Sequence, residues 1–118
     1  MAKHDFKVVT DYLSVMVKGS LSVPEFKQIT DDVLAVCLEN DIHKVIFDVL
    51  HTRGIFSDSD KTEFATYASA TLKNDVEKFA YIYPHEKITY TPQTISQGSG
   101  FNVRACETFD DAIAWIEE

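Results

Sequence analysis

Lys44-Val45-Ile46-Phe47-Asp48-Val49-Leu50 runs into His51-Thr52-Arg53-Gly54-Ile55-Phe56 and then into Ser57-Asp58-Ser59-Asp60-Lys61, and the fold turns on this stretch. Its first part is apolar apart from Lys44 and a single Asp48. A nearly continuous apolar run marks a strand covered on both faces, as in a parallel sheet. The polar connection that follows leads to a helix start. Ser57 or Ser59 can cap that helix, Ser57-x-x-Asp60 has the spacing of a weak capping box, and Asp58 and Asp60 suit the positive end of a helix dipole. Phe64, Tyr67, Ala68, Thr71 and Leu72 then supply an apolar stripe at helical spacing, ending near Lys73.

Working outward toward the N-terminus, Ser22-Val23-Pro24-Glu25 starts another helix. The Ser22 oxygen can accept from the Glu25 amide while Glu25 reaches back, and Pro24 costs nothing in a first turn where its N–H would lack a partner. Phe26, Ile29, Val33, Val36 and Cys37 place this helix over 23–39. Before it, Phe6–Val9 and Tyr12–Lys18 flank Thr10-Asp11 as a hairpin, and Gly19 ends the second strand. Toward the C-terminus, Phe79–Tyr83 reads as a strand stopped by Pro84. Thr91-Pro92 opens a short helix closed by Gly98 and Gly100, Phe101–Ala105 is a last strand, and Thr108-x-x-Asp111 caps a helix with Phe109, Ala112, Ile113 and Ile116 on its apolar face. The order β-β-α-β-α-β-α-β-α predicts an α/β domain over 1–118. Its sheet is mixed and mostly parallel, with about five strands, an N-terminal antiparallel hairpin and about four helices.

Composition narrows the function. The chain has 118 residues, 45% hydrophobic and 25% charged, with a formal net charge of -8. That charge repels phosphate backbones, and no run of Lys or Arg offsets it, so nucleic-acid binding is not expected. No apolar run approaches the ~20 residues of a membrane helix, so membrane insertion is not expected either. The opening Met1-Ala2-Lys3-His4-Asp5 lacks the apolar core of a secretory signal, which leads to the expectation of a cytoplasmic protein. Cys37 and Cys106 match no zinc or redox spacing and read as buried thiols.

The order of elements resembles the STAS superfamily, named for sulfate transporters and anti-sigma-factor antagonists, and within it the stand-alone bacterial anti-sigma-factor-antagonist-like (SpoIIAA-like) proteins. Three stretches carry the likeness: Gly19-Ser20-Leu21-Ser22 leading to Glu25-Phe26, the strand Val45-Ile46-Phe47-Asp48-Val49, and Gly100-Phe101-Asn102-Val103-Arg104 with Phe109-Asp110-Asp111-Ala112-Ile113-Ala114-Trp115-Ile116. The resemblance implies a non-enzymatic regulatory domain that binds a protein partner. It also implies a phosphoacceptor serine at the start of the helix after the third strand, which points to Ser57 or Ser59. Here that place reads Phe56-Ser57-Asp58-Ser59-Asp60-Lys61, without the Gly and the following apolar residue of the antagonist motif.

Asp48, His51, Arg53, Asp58 and Lys61 join the two serines as candidate contacts, because ligands of open α/β sheets bind beyond the carboxyl ends of the strands. A helix N-terminus and Arg53 there suit an anion. Competing chemistry finds little support. No Gly-x-Ser-x-Gly elbow accompanies Ser57, Ser59 and His51. The first strand lacks the acidic pair that a receiver domain would need beside Asp48. His4, His43, His51 and His85 show no ligand spacing, so neither a metal nor a cofactor is expected. Two further readings stand beside the regulatory one: a small-molecule or lipid carrier using the aromatic residues from Tyr81 to Tyr90, and an enzyme built on Asp48, His51 and Arg53. Homodimerisation through a sheet edge or that aromatic patch is a further expectation.

Overall fold

In the computed structural model, which describes residues 2–52, 57–83, 97–98 and 100–118, the apolar run becomes β3 (Lys44–Thr52) at the centre of a five-stranded sheet. The strands lie in the order β1 (Ala2–Val8), β2 (Leu13–Gly19), β3, β4 (Lys78–Ile82) and β5 (Val103–Cys106). β1 and β2 form the antiparallel hairpin, and every later pairing is parallel.

Helix α1 (Val23–Asn40) connects β2 to β3, and α2 (Asp58–Leu72) connects β3 to β4. Both connections step across the sheet in the same direction. Right-handed crossovers therefore put both helices on one face. The core between them joins Phe26, Ile29 and Val33 of α1 and Phe64, Ala68 and Leu72 of α2 to Val15, Val45, Phe47 and Phe79 of the sheet. Phenylalanines run through it without a break: Phe64 stacks on Phe26 at 4.4 Å, Phe26 meets Phe47 edge-on at 5.7 Å, Phe47 stacks on Phe79 at 5.8 Å, and Phe79 reaches Phe101 at 5.8 Å. The other face carries α3 (Phe109–Ile116), whose Ala112 and Ile116 pack on Ile46, Ala80, Ile82 and Cys106.

The helix signals act largely as read. Ser22 and Glu25 make the reciprocal capping box of α1, and its end is turned by Asp41 in the left-handed region at φ 54, with its N–H bonded to the Cys37 carbonyl. Asp tolerates this conformation better than most residues. Ser57, not Ser59, caps α2, accepting from the Asp60 N–H at 3.0 Å, and Thr108 caps α3 in the same way from Asp111 at 3.1 Å. The far end of α3 is served by Lys78 of β4. Its Nζ donates to the backbone oxygens of Trp115 at 3.0 Å and Glu118 at 2.9 Å, the former also accepting from the Glu118 N–H at 3.3 Å, which places a cation at the negative end of the helix dipole.

Several boundaries move. β1 begins earlier than Phe6, β2 ends on Gly19, and β3 runs on through His51 and Thr52, which the sequence assigned to the connection. β4 begins at Lys78, with Tyr83 just beyond its end, and β5 covers 103–106 rather than 101–105. The buried stripe of α2 is rotated: Lys61, Ala65 and Ser69 are buried, while Tyr67 and Thr71 are only half-buried. Tyr67 serves the outer surface instead, donating to Asp31 of α1 at 2.7 Å. The short helix expected from Thr91-Pro92 begins outside the described residues, so three helices are described against about four expected.

Candidate functional site

Because β2, β3 and β4 are parallel, their carboxyl ends share one edge of the molecule, and α1 and α2 both start there. Side by side, the two first turns carry Glu25, Asp58 and Asp60. These carboxylates are stabilised by the helix N-termini and in turn neutralise their positive field. Farther along, the helices are clasped on the outside by Lys27, which pairs with Glu63 at 3.7 Å and lies 5.4 Å from the centre of the Tyr67 ring.

β3 changes character as it reaches this edge. Val45 to Val49 are all buried, whereas Leu50 and Thr52 are half-buried and His51 is exposed. The change coincides with a bulge: Met16 pairs with Asp48 and Lys18 with His51, so two steps on β2 oppose three on β3. A bulge takes backbone groups out of the ladder. Here two side chains of β3 bond to backbone at that point. The Asp48 carboxylate accepts from the Leu50 N–H at 2.9 Å, and the Thr52 hydroxyl donates to the Val49 carbonyl at 2.8 Å. Asp48 is 6% exposed and sits on the α3 side of the sheet between Met16 and Ile82. Its geometry is that of a strand clamp. The sequence signals a lone acid in an apolar strand but says nothing of the bulge.

The remaining candidates separate. Ser57, Asp58 and Ser59 are exposed in the first turn of α2, and Asp60 beside them is half-buried. Lys61, one residue on, is only 8% exposed. His51 lies exposed at the end of β3, and Arg53 lies outside the described residues. The described edge is therefore hydroxyl-rich and acidic. Among the aromatic candidates, Tyr83 is buried and Tyr81 packs half-buried against the main core, while Tyr90 lies outside the described residues.

Away from this edge, a cavity of about 350 Å³ opens between β5 and α3, lined by Arg104, Cys106, Glu107, Asp111, Trp115 and Glu118. Arg104, Glu107, Asp111 and Glu118 put charge beside Ala105, Ala114 and Trp115 on its wall, unlike a predominantly apolar carrier pocket. No group of three or more His, Cys, Asp or Glu able to hold a metal ion occurs among the described residues. Both cysteines are buried free thiols: burial pushes Cys37 up to about 11 with help from the Asp75 charge, and burial raises Cys106 too, with Arg104 opposing the rise. No described helix is long and apolar enough to cross a membrane.

No protein-family model matches the sequence, and no curated protein matches it. Solved structures do. An anti-sigma factor antagonist from Mycobacterium paratuberculosis aligns with a TM-score of 0.69 at 14% identity, covering 100% of this chain and 96% of its own. The anti-sigma factor antagonist SpoIIAA in its unphosphorylated form gives 0.61 at 14% identity, covering 98% and 96%. The chain has the SpoIIAA-like fold. An uncharacterised protein from Shewanella loihica PV-4, also described as SpoIIAA-like in fold, gives 0.60 at 17% identity, covering 97% and 92%. The STAS resemblance read from the sequence thus holds at the level of the fold.

Proposed function

We propose that this chain is a regulatory, non-enzymatic protein-binding domain of the anti-sigma-antagonist type, and that it meets its partner at the carboxyl end of β3. The observation that carries this reading is the exposed first turn of α2. Ser57, Asp58 and Ser59 stand open to solvent at the end of a central strand whose inner residues are buried. The antagonist fold over essentially the full length supports the class of function. His51 lies at the same edge and belongs to the contact.

The partner surface carries Arg or Lys opposite Asp58 and Asp60. A free anion is a poorer occupant, because these two carboxylates already use the field of the helix N-terminus. Phosphorylation modulates the contact at Ser59 or Ser57. The Ser57 oxygen is the cap of α2, while Ser59 is exposed in the first turn without a capping role. A phosphate at either position meets Asp58 and Asp60, so its effect is to repel an acidic approach and to strengthen pairing with an arginine-bearing one.

Affinity capture from a native lysate tests the proposal when wild type is compared with Ser59→Asp, Asp58→Lys and His51→Ala. A stoichiometric partner retained by wild type and lost by Asp58→Lys is the expected result. Equal retention by all variants, or turnover of a substrate by the purified chain, contradicts the reading.

A further inference from the structure

Among the described residues, one helix lies on the second face of the sheet. α3 packs chiefly on β4, with β3 and β5 to either side. Over β1 and β2 the same face carries exposed Lys3, Lys7 and Lys18 and half-buried Met16. The hairpin register sets Lys3 directly opposite Lys18, and like charges directly opposite destabilise a strand pair. Among the described residues no ion pair relieves these lysines, and Asp5 is the acid that shares their side of the hairpin. In a chain of net charge -8, a locally basic surface is therefore assembled by strand pairing from residues scattered in sequence.

Beside the lysines lies an apolar seam. Met16, Leu50 and Tyr12 are half-buried, and Phe109 at the start of α3 is 37% exposed with its ring 6.5 Å from that of Tyr12. The space has a definite width. β2 is two strands from β4, roughly 10 Å at the usual strand spacing. Packed helices sit about 8–10 Å apart. One further helix therefore fits beside α3, over β2, and completes a two-helix layer like the one that α1 and α2 form opposite.

We propose that this open half-face is a docking site for one acidic amphipathic helix of a partner protein. Its apolar stripe covers Met16, Leu50 and Phe109, and its carboxylates meet Lys3, Lys7 and Lys18. A second copy of this chain fits poorly at the neighbouring β1 edge, because antiparallel self-pairing centred on Asp5 sets Asp5 against itself and Lys3 against Lys7. This surface is separate from the first turn of α2, and its polarity is opposite.

The test is a titration of the isotope-labelled full chain, followed by amide chemical shifts, with a synthetic helical peptide of about 18 residues bearing a Leu stripe flanked by Glu. A peptide with Lys in place of Glu is the control. The proposal predicts shifts at Lys3, Lys7, Met16 and Lys18 with the acidic peptide alone. Affinity falls at least about tenfold in Lys3→Gln/Lys7→Gln/Lys18→Gln, since about 1.4 kcal/mol from three lost charge contacts suffices for that factor. Met16→Ala weakens binding without changing the salt dependence. These lysines are exposed, so the triple variant is expected to fold, and its amide spectrum verifies that. No binding, equal binding of the Lys peptide, or shifts confined to α1 and α2 overturns the proposal. So does adsorption to phosphatidylserine vesicles without peptide binding, or self-association in sedimentation that the triple variant abolishes.

Discussion

The two faces of the sheet differ in what they bury. Toward α1 and α2 lie long aromatic side chains in continuous contact from Phe64 to Phe101. Toward α3 lie Ile46, Ala80, Ile82 and Cys106, a buried Asp48 and, over β1 and β2, the exposed Lys3, Lys7 and Lys18. One face concentrates hydrophobic stabilisation. The other packs a smaller aliphatic cluster, holds the Asp48 clamp and carries lysines that make no ion pair among the described residues, which leaves surface for binding. Substitutions on the two faces should separate accordingly.

The largest effect is expected at Phe47→Ala, which removes the ring joining Phe26 to Phe79. Urea unfolding should show a loss of about 3–5 kcal/mol. Asp48→Ala leaves the Leu50 N–H without its acceptor at the bulge and should cost about 1–3 kcal/mol. Asp48→Asn keeps an acceptor oxygen and should cost less, and an equal cost for both would show that the clamp does not act through that bond. Lys78→Met should cost about 1 kcal/mol by removing the cation from the end of α3. Thiol labelling sharpens the contrast further: in the native state at pH 8, Cys106 should react faster than Cys37, because Cys37 lies in the aromatic-rich core with its thiol held at about 11.

The smallest effect concerns the amino end of the sheet. His43 is exposed, and its Nδ1 donates to the Asp75 carbonyl at 2.9 Å while Nε2 lies 3.1 Å from Asp41. The bond to Asp75 raises its pKa above the ordinary 6.5, and the Asp41 contact and the Glu77 charge add to the rise. The group is charged and bonded below the unfolded value. Its stabilisation is therefore fully present below pH 6.5 and disappears as pH rises through the folded value. The midpoint for wild type should fall slightly over that window, relative to His43→Gln measured at the same pH values.

Much of the architecture is legible in the sequence, because strand burial and helix capping are local signals. The apolar run around Phe47 identifies the central strand, and Ser22-x-x-Glu25 identifies the start of α1. What is not legible depends on register. The bulge after Asp48 exists only in relation to β2, so the sequence cannot show that Asp48 holds the Leu50 N–H or that His51 and Thr52 remain in the strand. The rotation of α2 that buries Lys61 and turns Tyr67 toward Asp31 is set by the packing of α1. The clustering of Lys3, Lys7 and Lys18 follows from hairpin pairing, although the sequence contains no basic run. At the candidate site, the exposed serines and Asp58 could be read from the helix start alone, because a first turn at the end of a buried strand faces solvent.

The most direct test of the central claim is amide hydrogen exchange on the complex with a captured partner. The account predicts slowed exchange through the end of β3 and the first turn of α2, at His51, Asp58, Ser59 and Asp60, with the outer surface of α1 unchanged. Unchanged exchange at these residues in a stable complex would contradict it.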